Sequence, residues 1–211
     1  STLIIAQGGS IDARGTESAP IILTSVLDNI TVGEQAGTNL NETDAGLWGG
    51  LIVLGSAPIS ADAATALIEG LPANEAYAVY GGTNSTDNSG IIEYLSVRHG
   101  GTLIGDGNEI NGITLAGVGS STVVNHIEVV ANVDDGVEFF GGSVDASNIV
   151  VWAQGDDAYD IDQAYSVTID NFVYVAGADS DQGMDVDGPE ATMAARFTAK
   201  TGTRDDIASA I

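Results

Sequence analysis

Residues 112–135 read GITLAGVGSSTVVNHIEVVANVDD, residues 136–157 read GVEFFGGSVDASNIVVWAQGDD, and residues 158–181 read AYDIDQAYSVTIDNFVYVAGADSD. Aligned on Gly112, Gly136, Ala158 and Gly183, the copies recur at intervals of 24, 22 and 25 residues, and a fourth begins with QGMDVDGPE. A period of this size, made of short β-branched runs cut by Gly, Asn and Asp, marks a solenoid. Each copy holds two strand-like runs, such as 137–140 and 149–152, and neither can bury a face or pair its backbone alone. Neighbouring copies must therefore stack, each strand adding in parallel to the one below. The fold class this predicts is all-β, a parallel β-helix.

Working outward, one strand column takes Leu95, Ile127, Ile149 and Phe172, and a second, two places on, takes Val97, Val129, Val151 and Tyr174. This is the period-2 spacing of a buried strand face. The next position of that parity holds His99, Ala131, Ala153 and Ala176, a predicted bend. Asn125, Asn148 and Asn171 sit at or beside one turn column, where Asn tolerates left-handed backbone and can bond along the stack. Earlier strand material at 3–11, 21–26, 47–59 and 91–97 extends the helix to residues 1–190, with loop excursions at 27–46 and 62–89 expected on one side. Residues 191–211, Ala-rich and off the pattern, form a tail or cap.

Three stretches carry a family likeness: GTESAPIILTSV at 15–26, GLWGGLIVLGSAPI at 46–59, and EYLSVRHGG at 93–101 leading to EINGITL at 109–115. They resemble the right-handed β-helix regions, pectin-lyase-like solenoids, of secreted Bacteroidota surface proteins. That group is often exported by the type IX route and often mislabelled as multidrug transporters. The resemblance implies an extracellular or outer-surface location and a surface or assembly role, with no established catalytic function.

Composition narrows the partners. Thirty Asp and Glu against five Lys and Arg give a formal charge of −25, which repels nucleic acid and anionic membrane and attracts multivalent cations. There is no run of 18 apolar residues to span a bilayer, and there is no Cys. Dispersed acidity can simply keep a protein soluble. The stacked carboxylates need another account.

Register puts Asp135, Asp157 and Asp181 in one column with Asp134 and Asp156 beside it, Glu138, Asp160 and Asp185 in a second, and Asp162 and Asp187 in a third of the same outward parity. Rungs stack at ~4.8 Å, where two carboxylates repel by roughly 0.9 kcal/mol in water and ~3.5 kcal/mol at an effective dielectric of 20. Protonation or bound Ca²⁺ offsets such repulsion, and these ten residues are the candidate metal ligands.

A catalytic reading competes. In galacturonan hydrolases an Asp is followed about one coil later by an Asp pair, and Asp135 followed by Asp156 and Asp157 resembles that. Where that family's Gly-His-Gly would come, this chain has Gln182-Gly183-Met184, and no Arg-Ile-Lys follows. Pectate lyases pair Asp-bound Ca²⁺ with an Arg base, for which Arg98 beside His99 is the candidate. His99, His126 and Trp48 read as structural, whereas Trp152 lies on a strand apolar on both faces. A loop or the tail covers Trp152, or it is a sugar-stacking platform. The partners expected are a glycan or a surface protein, and an uncapped first strand at Leu3 invites end-to-end oligomers or fibres.

Overall fold

The computed structural model describes residues 1–72, 75–102, 110–165 and 168–189. The chain opens with β1 (Leu3–Ile5), β2 (Ile11–Arg14) and β3 (Ile21–Leu23), and after the first excursion continues with β4 (Leu51–Leu54). The second excursion carries a small antiparallel pair, β5 (Ala66–Leu67) and β6 (Val79–Tyr80), around a 3₁₀ turn at Ala76–Ala78. Short and long strands then alternate: β7 (Gly90–Arg98), β8 (Ile113–Ala116), β9 (Val123–Val130), β10 (Val137–Phe140) and β11 (Ala146–Trp152), followed by β12 (Tyr159–Asp162), β13 (Ile169–Val175) and β14 (Asp185–Val186). Short strands build one parallel sheet in the order β1-β4-β8-β10-β12-β14, and the four long strands form a second, β13-β11-β9-β7-β2, in which the short β2 and β3 both pair with β7. This is the stacked parallel β-helix that the repeat predicts.

The columns hold residue for residue. Leu95 pairs with Ile127, Ile127 with Ile149, and Ile149 with Phe172, while Val97, Val129, Val151 and Tyr174 do the same two places on. Together with Val137, Phe139, Tyr159 and Ile161 of the short-strand sheet they fill one continuous core, with Tyr174 partly buried against it and Phe172, at the last rung, exposed. Gly112 and Gly136 are the only residue type that fits where they stand. A Cβ on Gly136 would lie 2.4 Å from Val151 Cγ1 and 2.6 Å from the Ala158 carbonyl, and one on Gly112 would lie 2.4 Å from Val129 Cγ1.

Each long strand bends once, at Tyr94, His126, Asn148 or Asn171, with φ between 49° and 55°. These residues fall between paired positions of the ladder, so the strand turns a corner without leaving its sheet. Asn suits the left-handed region and also bonds vertically: Asn148 Nδ2 donates to Asn125 Oδ1 at 2.8 Å, and Asn171 Nδ2 donates to Asn148 Oδ1. Below them His126 stacks on Tyr94 with centroids 4.2 Å apart. The predicted second bend is present at three of its four positions, with His99, Ala131 and Ala153 at φ 62°, 54° and 57°, while Ala176 does not take the left-handed backbone.

The excursions fold back on different sheets rather than one side. Loop 27–46 is tied to the end of β7 through Gln35 O, which accepts from Arg98 Nη1, and Asp44 O, which accepts from His99 Nδ1. The second excursion lays Ile68, Ala78 and Tyr80 on the outer face of β4, β8 and β10, against Ile52, Leu54, Ala116 and Phe140. Those three strands are consequently buried on both faces. The cap or tail expected over 191–211 lies outside the described residues.

Candidate metal centre

Rung-to-rung hydrogen bonds fix which carboxylates stand over which. Gly112 N donates to Asp135 O, Gly136 N to Asp157 O, and Ala158 N to Gln182 O. The column is therefore Asn111, Asp135, Asp157 and Gln182. Asp181 donates its N–H to Asp156 O and belongs with Asp134 and Asp156. The predicted Asp135–Asp157–Asp181 column is thus corrected by one residue at its top. The offset between rungs grows from 22 at Phe140–Asp162 to 23 at Ala146–Ile169 and to 25 at Asp160–Asp185, so two of the three extra residues follow Val175. The second column stands as predicted: Glu138 pairs with Asp160 and Asp160 with Asp185, with Thr114 beneath Glu138. Asp162 pairs with Phe140, and Asp187 N donates to Ile161 O.

Three groups of carboxylates have oxygens within 4.8 Å of one another: Asp134, Asp135 and Asp156; Asp135, Glu138 and Asp160; and Asp156, Asp157 and Asp181. Asp162, Asp185 and Asp187 fall in none of the three. The middle group is the enclosed one. Glu138, read from parity as outward, does leave the solenoid core, but the second excursion covers it and leaves it 4% exposed. Burial above all, then the charge of Asp135, pushes its carboxyl up to about 11. Asp135 rises to about 8, again through burial and then Asp134. Asp160 rises to about 6 through burial and Asp185, held back by a hydrogen bond with Glu138. A protonated Glu138 donating to the Asp160 carboxylate accounts for both directions. No basic side chain among the described residues offsets the group, since Arg14 pairs with Asp12 and Arg98 with Glu128.

One ligand candidate escapes the carboxylate pattern. Asn111 stands in the Asp135 column, is 4% exposed, and donates from Nδ2 to the Glu138 carboxylate and to Thr114 Oγ1. Its Oδ1 is buried without a hydrogen-bond partner. The signal was its place before Gly112, matching Asp135 before Gly136. The three carboxylates of the enclosed group form a hard, all-oxygen donor set of the kind calcium takes.

The same contacts show what the alternative catalytic residues do. Asp135 Oδ1 accepts the N–H of Asp157 at 3.0 Å, and Asp157 Oδ1 accepts the N–H of Gln182 at 2.8 Å. Both carboxylates brace one rung against the next, and Asp157 is also raised by burial. Asp156 is exposed beside them. Arg98 is on the other sheet and fully engaged, donating to Ser96, Glu128 and Gln35. His99 and His126 occupy the two bends, and the half-buried Trp48 donates its indole N–H to Arg98 O.

A family model for the pectate-lyase-like β-helix domain matches residues 1–207. The chain belongs to that family. No curated protein and no solved structure matches it. Within a pectate-lyase-like β-helix, the described residues contain no helix long and apolar enough to cross a membrane.

Proposed function

We propose that this pectate-lyase-like β-helix is an extracellular, non-catalytic surface or assembly domain that binds calcium between Asp135, Glu138 and Asp160 and presents its rigid faces to a glycan. The observation that carries the reading is the enclosed Asp135–Glu138–Asp160 group, three carboxyls within 4.8 Å of one another around a buried Glu138. A divalent cation replaces the proton that such a group otherwise retains. Beside the group, the buried Asn111 holds the Glu138 carboxylate through Nδ2 while its own Oδ1 is unpartnered, and Asp185 stands one rung above Asp160. The likeness of 15–26 and 46–59 to secreted surface proteins supports the location. Titrating calcium into chelator-treated protein while following thermal melting tests the reading: a saturable rise is expected, and an unmoved transition would remove the metal.

A hydrolase or lyase on acidic glycans is the second reading. Carboxyls near 6 and 8 at Asp160 and Asp135 lie in the range useful for proton transfer, and this favours it. Against it, Asp135 and Asp157 are engaged in holding successive rungs. Depolymerisation of polygalacturonate that disappears in Asp156→Asn, with the melting transition intact, would establish the enzyme.

A further inference from the structure

On the second sheet, β11 ends at Trp152, which pairs with Val130 and Val175 and remains 40% exposed. Loop 27–46 approaches this strand end but stops short of covering it. A groove of about 400 Å³ remains, with Trp152 and Val130 on one side and Leu40, Asn41 and Glu42 on the loop side. That volume lies within the range of small-ligand clefts. The loop wall is preformed. Arg98 holds Gln35 O and His99 holds Asp44 O, while Asn29, Thr38 and Asn39 tie the loop to itself.

We propose that this groove binds a neutral glycan, with a sugar ring on the Trp152 indole and its hydroxyls on the Glu42 and Glu128 carboxylates and the Asn41 amide. The inference deepens the glycan part of the proposed function and rests on that reading, but not on the calcium site. The occupant follows from charge. Among the described residues, Arg98 and His99 are the basic side chains lining the groove; the Arg98 guanidinium is held by Ser96, Glu128 and Gln35, and His99 Nδ1 by Asp44 O. Among the described residues an acidic sugar would find no cation there without a carboxylate or carbonyl already on it, and a chain of charge −25 around it. A neutral sugar needs none: its C–H face matches an aromatic ring, and its hydroxyls donate to carboxylates.

Tryptophan fluorescence, titrated with neutral cello-, manno- and laminari-oligosaccharides, with oligogalacturonate and with polylysine, tests this. Trp48 and Trp152 are the chain's two tryptophans, so Trp152→Ala isolates the signal. At least one neutral oligomer should bind, and isothermal titration calorimetry, which does not need the Trp152 reporter, should show both Trp152→Ala and the non-packing variant Glu42→Gln weakened by roughly tenfold or more. Each variant should keep the calcium-induced rise in melting temperature, and Asp160→Asn should keep the glycan affinity. The two readings therefore fail separately. Binding of polylysine alone would overturn the proposal in favour of a basic protein surface. Binding of oligogalacturonate alone, of no probe, or equal binding by all variants would also overturn it.

Discussion

Glu138→Gln separates a cation ligand from a packing residue. Within the Asp135–Glu138–Asp160 group one oxygen from each carboxylate lies within 4.8 Å of one from each of the others. At an effective dielectric of 20 each like-charged pair then costs at least about 3.5 kcal/mol, and three pairs about 10 kcal/mol. That rivals the ~5 to 15 kcal/mol of a domain's whole stability, so without metal the group keeps a proton, and burial assigns it to Glu138. Glutamine matches that neutral form in size and still offers a donor to Asp160. In chelator at pH 7.5, Glu138→Gln should therefore lie within about 1 kcal/mol of the parent, inside the range of mild substitutions. With calcium at a hundred times its dissociation constant the parent gains about 2.7 kcal/mol, or roughly 5 to 10 °C for a chain of this length. The variant, one charge poorer, should shift by less than about a quarter of that. Differential scanning calorimetry with and without calcium reads both quantities. A variant that melts several degrees lower in chelator and keeps the full calcium shift would refute the reasoning, because Glu138 would then hold structure and not the ion.

The raised carboxyls make a signed prediction about pH. Asp160 near 6 and Asp135 near 8 bind more protons folded than unfolded, so metal-free stability should be greatest near pH 4 and fall as pH rises to 8. Asp160 alone contributes a loss of about 2 to 3 kcal/mol after allowance for its partial exposure. Melts across pH 4–9 in chelator should show that fall and calcium should flatten it, whereas a rise toward neutrality without metal would contradict the electrostatics. At the corner, Asn148→Ala removes amide bonds to Asn125 and Asn171 and puts Ala at φ 55°, costing about 2 to 3 kcal/mol in urea unfolding. Asn148→Gly, free of the backbone strain, should lose about half as much, and equal losses would mean that the ladder bonds alone matter.

Much of this architecture was legible because a solenoid repeats its own contacts. The columns from Leu95 to Phe172 and from Val97 to Tyr174, the corner Asn residues and the bend at His99, Ala131 and Ala153 all follow from counting residues between equivalent positions. The alignment on Gly183 already puts Gln182 over Asp157, and only residue type, against that register, puts Asp181 in the Asp135 column. Counting fails for contacts made by irregular chain. Nothing local to Glu138 signals that Ile68 and Tyr80, about sixty residues earlier, close over its sheet and convert an outward carboxylate into a buried one. Asn111 went unread because it is neutral, though it shares the register of Asp135. Trp152 was expected to be covered or to serve as a sugar platform. Loop 27–46 supplies half a cover, and the groove is what the other half leaves.

The central claim is that a cation sits among Asp135, Glu138 and Asp160. Crystals grown in calcium, with anomalous diffraction collected at long wavelength, address it most directly. The account predicts one compact anomalous peak ringed by oxygens of these three carboxylates at ~2.3 to 2.6 Å. Glu138 and Asp160 oxygens joined by a short proton-bearing contact of ~2.5 to 2.7 Å, with no anomalous signal between the columns, would contradict it.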